Sequence, residues 1–357
     1  MSIAAAAQPA TSLAYPCGEP PRSGEAREIA PGVLWLRMPL PFKLDHVNLW
    51  ALHDGDGWAI VDTGLQTLDT ATAWRDLLAS SGALRGERVT RVLVTHMHPD
   101  HVGMAGWMTR RFDCRLWMTR LEYLNCRVLT ADTMREAPED GVRFYRGAGW
   151  TADDIEGYRA RFGSFGKMIH PLPDSYRRVQ DGERIEIGGR EWRVVVGNGH
   201  SPEHACYYCP GLNLLISGDQ VLPRISSNVS VFPTEPDANP LGEWMASLAK
   251  IKREVPGDVL VMPAHNEPFH GLHARLDQLL AGHEASLGRL RAALDQPKRA
   301  IDVFTALFSR NIAGDAHLLG LATGESLAHL NYLVARGEAS VVRTADGIAW
   351  FQRTSGR

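Results

Sequence analysis

The stretch THMHPDH, Thr95 to His101, follows the β-forming run ERVTRVLV (87–94) and leads into VGMAG (102–106). It places three histidines and one aspartate within six residues, with His96, His98 and Asp100 at alternate positions and His101 breaking the alternation. Neutral imidazoles and carboxylates are ligands for zinc and similar divalent ions. On a turn of near-extended backbone, His96 and His98 can face one point. Asp100 and His101 then reach a second point close by. The competing reading is a histidine-rich surface turn.

Further candidates recur where strand-like runs end: His200 in VVVGNGHSPEH, Asp219 in LLISGDQ and His265 in VLVMPAH. Loops that end strands converge on one edge of a sheet, so these residues can complete the set. The spacing groups His96, His98 and His200 around one ion and Asp100, His101 and His265 around the other, with Asp219 able to bridge.

The rest of the chain supplies a scaffold for such an edge. GVLWLRMPL and HVNLWALHDGDGWAIVDTGL read as strands, the second folding at HDGDG into a hairpin that ends at Asp62. Residues 65–83 carry apolar residues at helical spacing and lead into RVLVT. VGMAGWMTRRF continues as a helix and CRLWMT as a strand. Residues 121–170 are helical, rich in aromatic and arginine residues, and read as an insertion: either a substrate wall or a packed helical pair. Strands return in ERIEIGG, REWRVVVGNGH, ACYYCPG and LNLLISGD, followed by helices around 241–255 and 272–294 with VLVMPAH between them. After Pro297, three helical segments (AIDVFTALFS, HLLGLA and one with Leu327, Leu330 and Val334) precede the strands ASVVRT and GIAWFQ. That is a winged-helix pattern.

Composition narrows the function classes. The chain has 357 residues, 44% hydrophobic and 22% charged, with a formal net charge of −3. This is an ordinary globular composition with no global field for nucleic acid or an anionic membrane. The five cysteines are odd in number and irregularly spaced, which argues for a reducing, cytoplasmic compartment. The N-terminal segment lacks the basic and apolar regions of a secretory signal, and no run approaches the ~20 apolar residues of a membrane span. Residues 1–27 therefore read as a poorly ordered arm.

With these motifs in order, the sequence resembles the metallo-β-lactamase superfamily. Its THxHxDH signature is present as Thr95, His96, His98, Asp100 and His101, followed by GHSPEH with His200, SGD with Asp219 and PAH with His265, and preceded by VDTG with Asp62. The likeness covers roughly residues 28–290, the catalytic domain. It implies an α/β fold, an αββα sandwich with a dinuclear site at one sheet edge. The tail, 297–357, is similar to the winged-helix-like C-terminal region of a lactamase-like branch. Its Arg310, Arg336, Arg343 and Arg353 are mixed with Asp302, Asp315, Glu325, Glu338 and Asp346, so it is expected to pack on the catalytic domain and not to read nucleic acid.

The resemblance implies a role for Asp62 in orienting ligands. His204 and His46 read as structural hydrogen-bonding residues, each with the option of lining the pocket. Arg224, Ser226, Ser227 and Asn228 follow a ligand candidate and are candidate substrate contacts. Cys206 and Cys209 form a CxxC, but residues three apart in a strand face opposite sides, so they read as packing residues. The expected chemistry is hydrolysis by two divalent ions, zinc first and iron or manganese as alternatives. A bridging hydroxide, fixed by Asp100 and Asp219, attacks an ester or thioester carbonyl of an acyl-glutathione or acyl-CoA type substrate. The other readings are a phosphodiesterase or RNA nuclease, a lactonase or β-lactamase, and a di-iron or sulfur-oxidising protein. The expected partner is a small molecule, with no membrane and no nucleic acid; homo-oligomer formation is left open.

Overall fold

The computed structural model describes residues 13–309, 312 and 314–354. Two sheets form its centre. The first runs in the order β1 (Ala26–Ala30), β2 (Val33–Pro39), β3 (His46–Asp54), β4 (Gly57–Val61), β5 (Arg88–Leu93), β6 (Arg115–Met118) and β7 (Arg177–Arg178). β1 to β4 pair antiparallel and β4 to β7 parallel. The second sheet runs β8 (Arg184–Ile187), β9 (Arg190–Gly197), β10 (His204–Cys209), β11 (Leu214–Gly218) and β12 (Leu260–Pro263), antiparallel except for the β11–β12 pair.

The alternation of side chains along these strands builds three apolar layers. Trp35, Trp50, Val194, Val196, Tyr207, Leu214 and Ile216 meet between the sheets. Their neighbours Leu36 and Leu49 face outward beneath α1 (Leu68–Leu77), the short α2 (Pro99–Val102), α3 (Ala105–Phe112) and α4 (Arg120–Ala131). On the other outer face, Val195, Cys206 and Leu215 lie beneath a second helical layer. Strands buried on both faces read as continuous apolar runs, and the period of two assigns each residue to its layer. The four layers are the expected sandwich. Cys206 and Cys209 fall in different apolar layers, as their spacing requires.

The second helical layer contains α5 (Glu139–Ala148), α6 (Ala152–Arg161), α7 (Pro240–Glu254), α8 (Leu272–Ala293), the short α9 (Phe304–Leu307) and α10 (Ala316–Ala335), with the hairpin β13 (Ala339–Arg343) and β14 (Ala349–Arg353). The tail shares one apolar cluster with α7 and α8: Leu327, Leu330, Leu333 and Phe351 pack with Trp244, Leu248, Leu287 and Leu290.

Three expectations change. HLLGLA and the segment after it are a single helix, α10, which its interior glycines do not break; Gly324 serves packing, since a Cβ there would stand 2.7 Å from Ser230 Oγ. The insertion is not one unit, since Tyr123 and Cys126 of α4 belong to the outer layer of the first sheet, whereas α5 and α6 pack against α10. Residues 13–27 are not a loose arm. Ala14 and His270 exchange backbone hydrogen bonds of 3.3 and 2.8 Å, and β1 begins at Ala26. Residues 1–12 and Arg310 lie outside the described residues.

Candidate metal centre

β5, β9, β11 and β12 all point their C-terminal ends at one edge, and the loops beyond them carry His96 to His101, His200, Asp219 and His265. Local sequence shapes these loops. Gly199 adopts φ +101°, where any Cβ would strike the carbonyl oxygen of Pro240 at 2.5 Å, so only glycine permits the turn that presents His200. Pro99 opens α2, and its neighbours Asp100 and His101 occupy the first turn of that helix.

The side chains converge in two groups whose ligand atoms lie within 4.8 Å of one another: His96, His98, His200 and Asp219, then Asp100, His101 and His265. Asp219 joins them. Its Oδ2 is 3.9 Å from His96 Nε2 and 3.3 Å from His200 Nε2, while its Oδ1 is 3.6 Å from His101 Nε2 and 3.4 Å from His265 Nε2. Asp100 Oδ2 is 3.7 Å from His101 Nε2 and 3.5 Å from His265 Nε2. His98 faces His96 Nε2 with its Nδ1 at 2.9 Å. Donors around a tetrahedral cation at about 2.0–2.1 Å are separated by about 3.3 Å, so these spacings suit two ions.

Four of these rings are turned by their other nitrogen. His101 Nδ1 donates to Asp62 Oδ2 at 2.8 Å, His200 Nδ1 to the Asn228 carbonyl at 2.7 Å, and His265 Nδ1 to the His46 carbonyl at 2.8 Å. His96 Nδ1 donates to Thr95 Oγ1 at 3.0 Å, which in turn donates to Asp62. Such partners fix tautomer and orientation and leave the Nε2 lone pairs facing the centre. His101 Nε2, His200 Nε2 and Asp219 Oδ1 are buried without a hydrogen-bond partner in the protein. Buried polar atoms need one, and a cation supplies it.

The electrostatics agree. Burial first, then neighbouring imidazoles, holds His96 and His98 well below the usual histidine range. For Asp219, burial works upward, but His265 and His101 keep the carboxyl well below its usual value. Burial also opposes protonation of His101, yet Asp100, Asp219 and Asp62 together raise it well above normal. The carboxylates outweigh the charge available to them, as expected where cations belong.

The other sequence candidates take supporting places. Asp62, at φ +61°, accepts from the Thr95 amide at 2.7 Å as well as from Thr95 Oγ1 and His101. His204 stacks on His96 at 4.7 Å and its Nε2 accepts the Asp219 amide at 3.1 Å, with burial bringing it down to about 3. Asn228 points its side chain at Glu325 of α10, and Ser227 Oγ donates to the Asp219 carbonyl. Ser226 lies 3.5 Å from His283, and Arg224 pairs with Glu267.

Two supporting residues had escaped the sequence reading. Glu122, fully buried in the first turn of α4, accepts the Met97 amide at 2.9 Å and the Glu203 amide at 2.8 Å, one on each oxygen. It ties the loop of His96 and His98 to the loop of His200, and burial raises its pKa. Asn48 on β3 accepts from Trp35 Nε1 and donates to the carbonyls of Pro263 and Asn266, clamping the loop of His265. A lone polar residue in the apolar run HVNLWAL was a signal for Asn48; Glu122 gave none.

Residues 43–265 match the profile described as the Metallo-beta-lactamase superfamily. The chain belongs to this superfamily. Residues 287–354 match a second profile, the Metallo-beta-lactamase-like C-terminal domain. As a superfamily member the chain is similar to a beta-lactamase domain protein from Burkholderia ambifaria, at 40% identity and a TM-score of 0.86 over 96% of this chain and 98% of that one. It is also similar to a metallo-beta-lactamase family protein from Thermus thermophilus, at 29% identity and 0.76 over 92% and 100%. Curated relatives are more distant. The lactamase-like protein ptaB of Pestalotiopsis fici is 24% identical over 74% of this chain and 65% of its own length. An atrochrysone carboxyl ACP thioesterase of Aspergillus fumigatus is 24% identical over 72% of this chain, and the match spans 46% of that protein.

Proposed function

We propose that this superfamily member is a hydrolase that uses two divalent ions to cleave an ester or thioester of an acyl group. The observation that carries the reading is the division of Asp219 between the two donor groups, one oxygen toward His96 and His200 and the other toward His101 and His265. Two such ions would supply Lewis acidity toward the carbonyl oxygen and an acidified water. The chain's own residues do the rest. Asp219 and Asp100 are placed to accept hydrogen bonds from the attacking water and hold its lone pair toward the carbonyl, and Asp100 and His98 are only half-buried, so substrate enters from their side. Asp62, Thr95 and Glu122 keep the loops in register.

No side-chain nucleophile is needed. Burial pushes the Cys126 thiol up to about 12, which leaves no thiolate for covalent attack. Zinc suits the mixed imidazole and carboxylate donors, and iron or manganese suits them too. The thioester preference is supported by the named activity of distant relatives, and a cytoplasmic setting by five unpaired cysteines.

The test is a metal analysis of the purified chain followed by assay against thioesters, lactones, phosphodiesters and β-lactams. Bound metal with thioester or ester turnover is the expected result. Cleavage of phosphodiesters without turnover of any acyl compound would overturn the reading.

A further inference from the structure

α5, α6, the segment after Asp219 and the first turns of α10 line an open cavity of about 210 Å³, with none of the metal-ligand candidates in its wall. One wall is aromatic. Tyr145 stacks on Trp150 with centroids 4.2 Å apart, and Tyr158 leans on Tyr145 at 4.8 Å. Trp150 is fixed by its Nε1, which donates to Thr323 Oγ1 at 2.9 Å. At the rim stands Arg161, which donates to the Ala316 carbonyl at 3.3 Å and has no carboxylate partner among the described residues. Arg159, by contrast, is held by Glu139 and Glu156.

The opposite wall is open by composition. Gly320 lies inside α10, where glycine is a poor choice for the helix, and a Cβ placed there would meet nothing within 4 Å. The glycine relieves no contact with the protein; it leaves space for something else. Whole small ligands fill about 300–1,000 Å³, so this cavity takes part of a ligand. An apolar cavity of about 150 Å³ accepts a benzene ring.

The cavity is joined to the metal centre by one short segment. Asn228 accepts His200 Nδ1 through its carbonyl, and Ser230, two residues on, lines the cavity. Two residues span at most about 7 Å. The cavity thus lies one segment beyond His200, and a substrate that reaches it from the metals has to extend past that residue.

We infer that this cavity is a substrate subsite that seats a planar aromatic ring bearing an anionic group directed at Arg161. The inference rests on the acyl-hydrolase reading. The ring can come from the acyl group, as in an aromatic carboxylic acid, or from the carrier, as in the adenine nucleotide of a coenzyme A ester. Binding energy from such a remote group raises the rate only for substrates that possess it.

The test variant is Gly320→Leu, which fills the cavity from a position with room for the side chain. Gly288→Leu, at an exposed glycine of α8 with equally open space, controls for replacing a helical glycine. The readout is the ratio of kcat/KM for a ring-bearing substrate to that for p-nitrophenyl acetate. Carboxybenzoyl-N-acetylcysteamine places the ring in the acyl group, and acetyl-coenzyme A places it in the carrier. Gly320→Leu should lower one ratio at least about tenfold at unchanged metal content and melting temperature, and Arg161→Gln should lower the same ratio. Which ratio falls names the source of the ring. Unchanged ratios in both variants would overturn the subsite and leave the hydrolase reading standing. If the wild type turns over none of these substrates, the hydrolase reading falls and calorimetry decides on the cavity alone. Binding of 6-carboxy-2-naphthoate or adenosine 3′-phosphate that is lost in Gly320→Leu would support the site, and no binding by the wild type would overturn it.

Discussion

Asp219 holds one oxygen toward each group of imidazoles, so Asp219→Ala should reduce bound metal well below that of the wild type and cut kcat/KM by about two orders of magnitude or more, about 3 kcal/mol. Metal analysis beside a steady-state assay checks this, and unchanged stoichiometry with full activity would remove Asp219 from the bridge. Glu122 makes a different demand. Each of its oxygens accepts one buried amide, and an amide side chain offers a donor where one acceptor is needed. Glu122→Gln should cost about 1–3 kcal/mol of stability and weaken metal binding about 10–100-fold without touching a ligand. Chemical denaturation and competition with a chelator read the two effects separately. Ligand candidates such as His96 and Asp219 were legible because they end strand-like runs, where a buried edge has few other uses for histidine and aspartate. Glu122 was not, because an acidic residue in the first turn of a helix is ordinary, and only tertiary packing turns that position into the floor between two loops.

At the scale of elements, α8 and α10 meet at a buried pair of histidines, with His283 Nδ1 and His329 Nε2 3.5 Å apart. His329 Nδ1 donates to the Glu325 carbonyl, Ser226 stands beside His283, and the Arg289 cation opposes a proton on His329. Burial and the neighbouring ring bring His283 down to about 4. In the unfolded chain this side chain titrates near 6.5. Between these values the unfolded state binds a proton that the native state refuses, so stability is lost as pH falls from about 6.5 toward 4 and is unaffected above that window. The contribution is up to about 3 kcal/mol. Comparing melting temperatures of wild type and His283→Gln across the window isolates it from the other titrating groups: the variant should lose less stability on acidification, and parallel curves would refute the assignment. Neither this contact nor the continuity of α10 was legible in the sequence. Glycines at 320 and 324 punctuate the helical pattern as breaks would, whereas one faces a cavity and the other lets the Ser230 side chain and the Val231 carbonyl approach.

Across the whole molecule, the tail has no core of its own among the described residues. Leu327, Leu330, Leu333 and Phe351 share their cluster with α7 and α8, so deleting residues 297–357 should expose that cluster and give a chain that aggregates or melts at markedly lower temperature, as calorimetry and light scattering would show. A truncated protein of wild-type stability would mean that the shared cluster contributes little. With acidic and basic side chains mixed in the tail and a net charge of −3 for the chain, no salt-dependent binding of a DNA duplex is expected; a steep salt dependence in a mobility-shift titration would contradict this. The packed tail was expected from its composition, while its hold on the centre required the structure. Asn228 gives its carbonyl to His200 and its side chain to Glu325, and the Val231 amide bonds the Gly324 carbonyl on α10. The segment that turns a ligand is thereby stitched to the last long helix, and the two are expected to open as one unit. Stripping the protein with a chelator should therefore speed deuterium uptake along α10 as well as in the loop of His200, so that the far end of the chain reports whether the centre is filled.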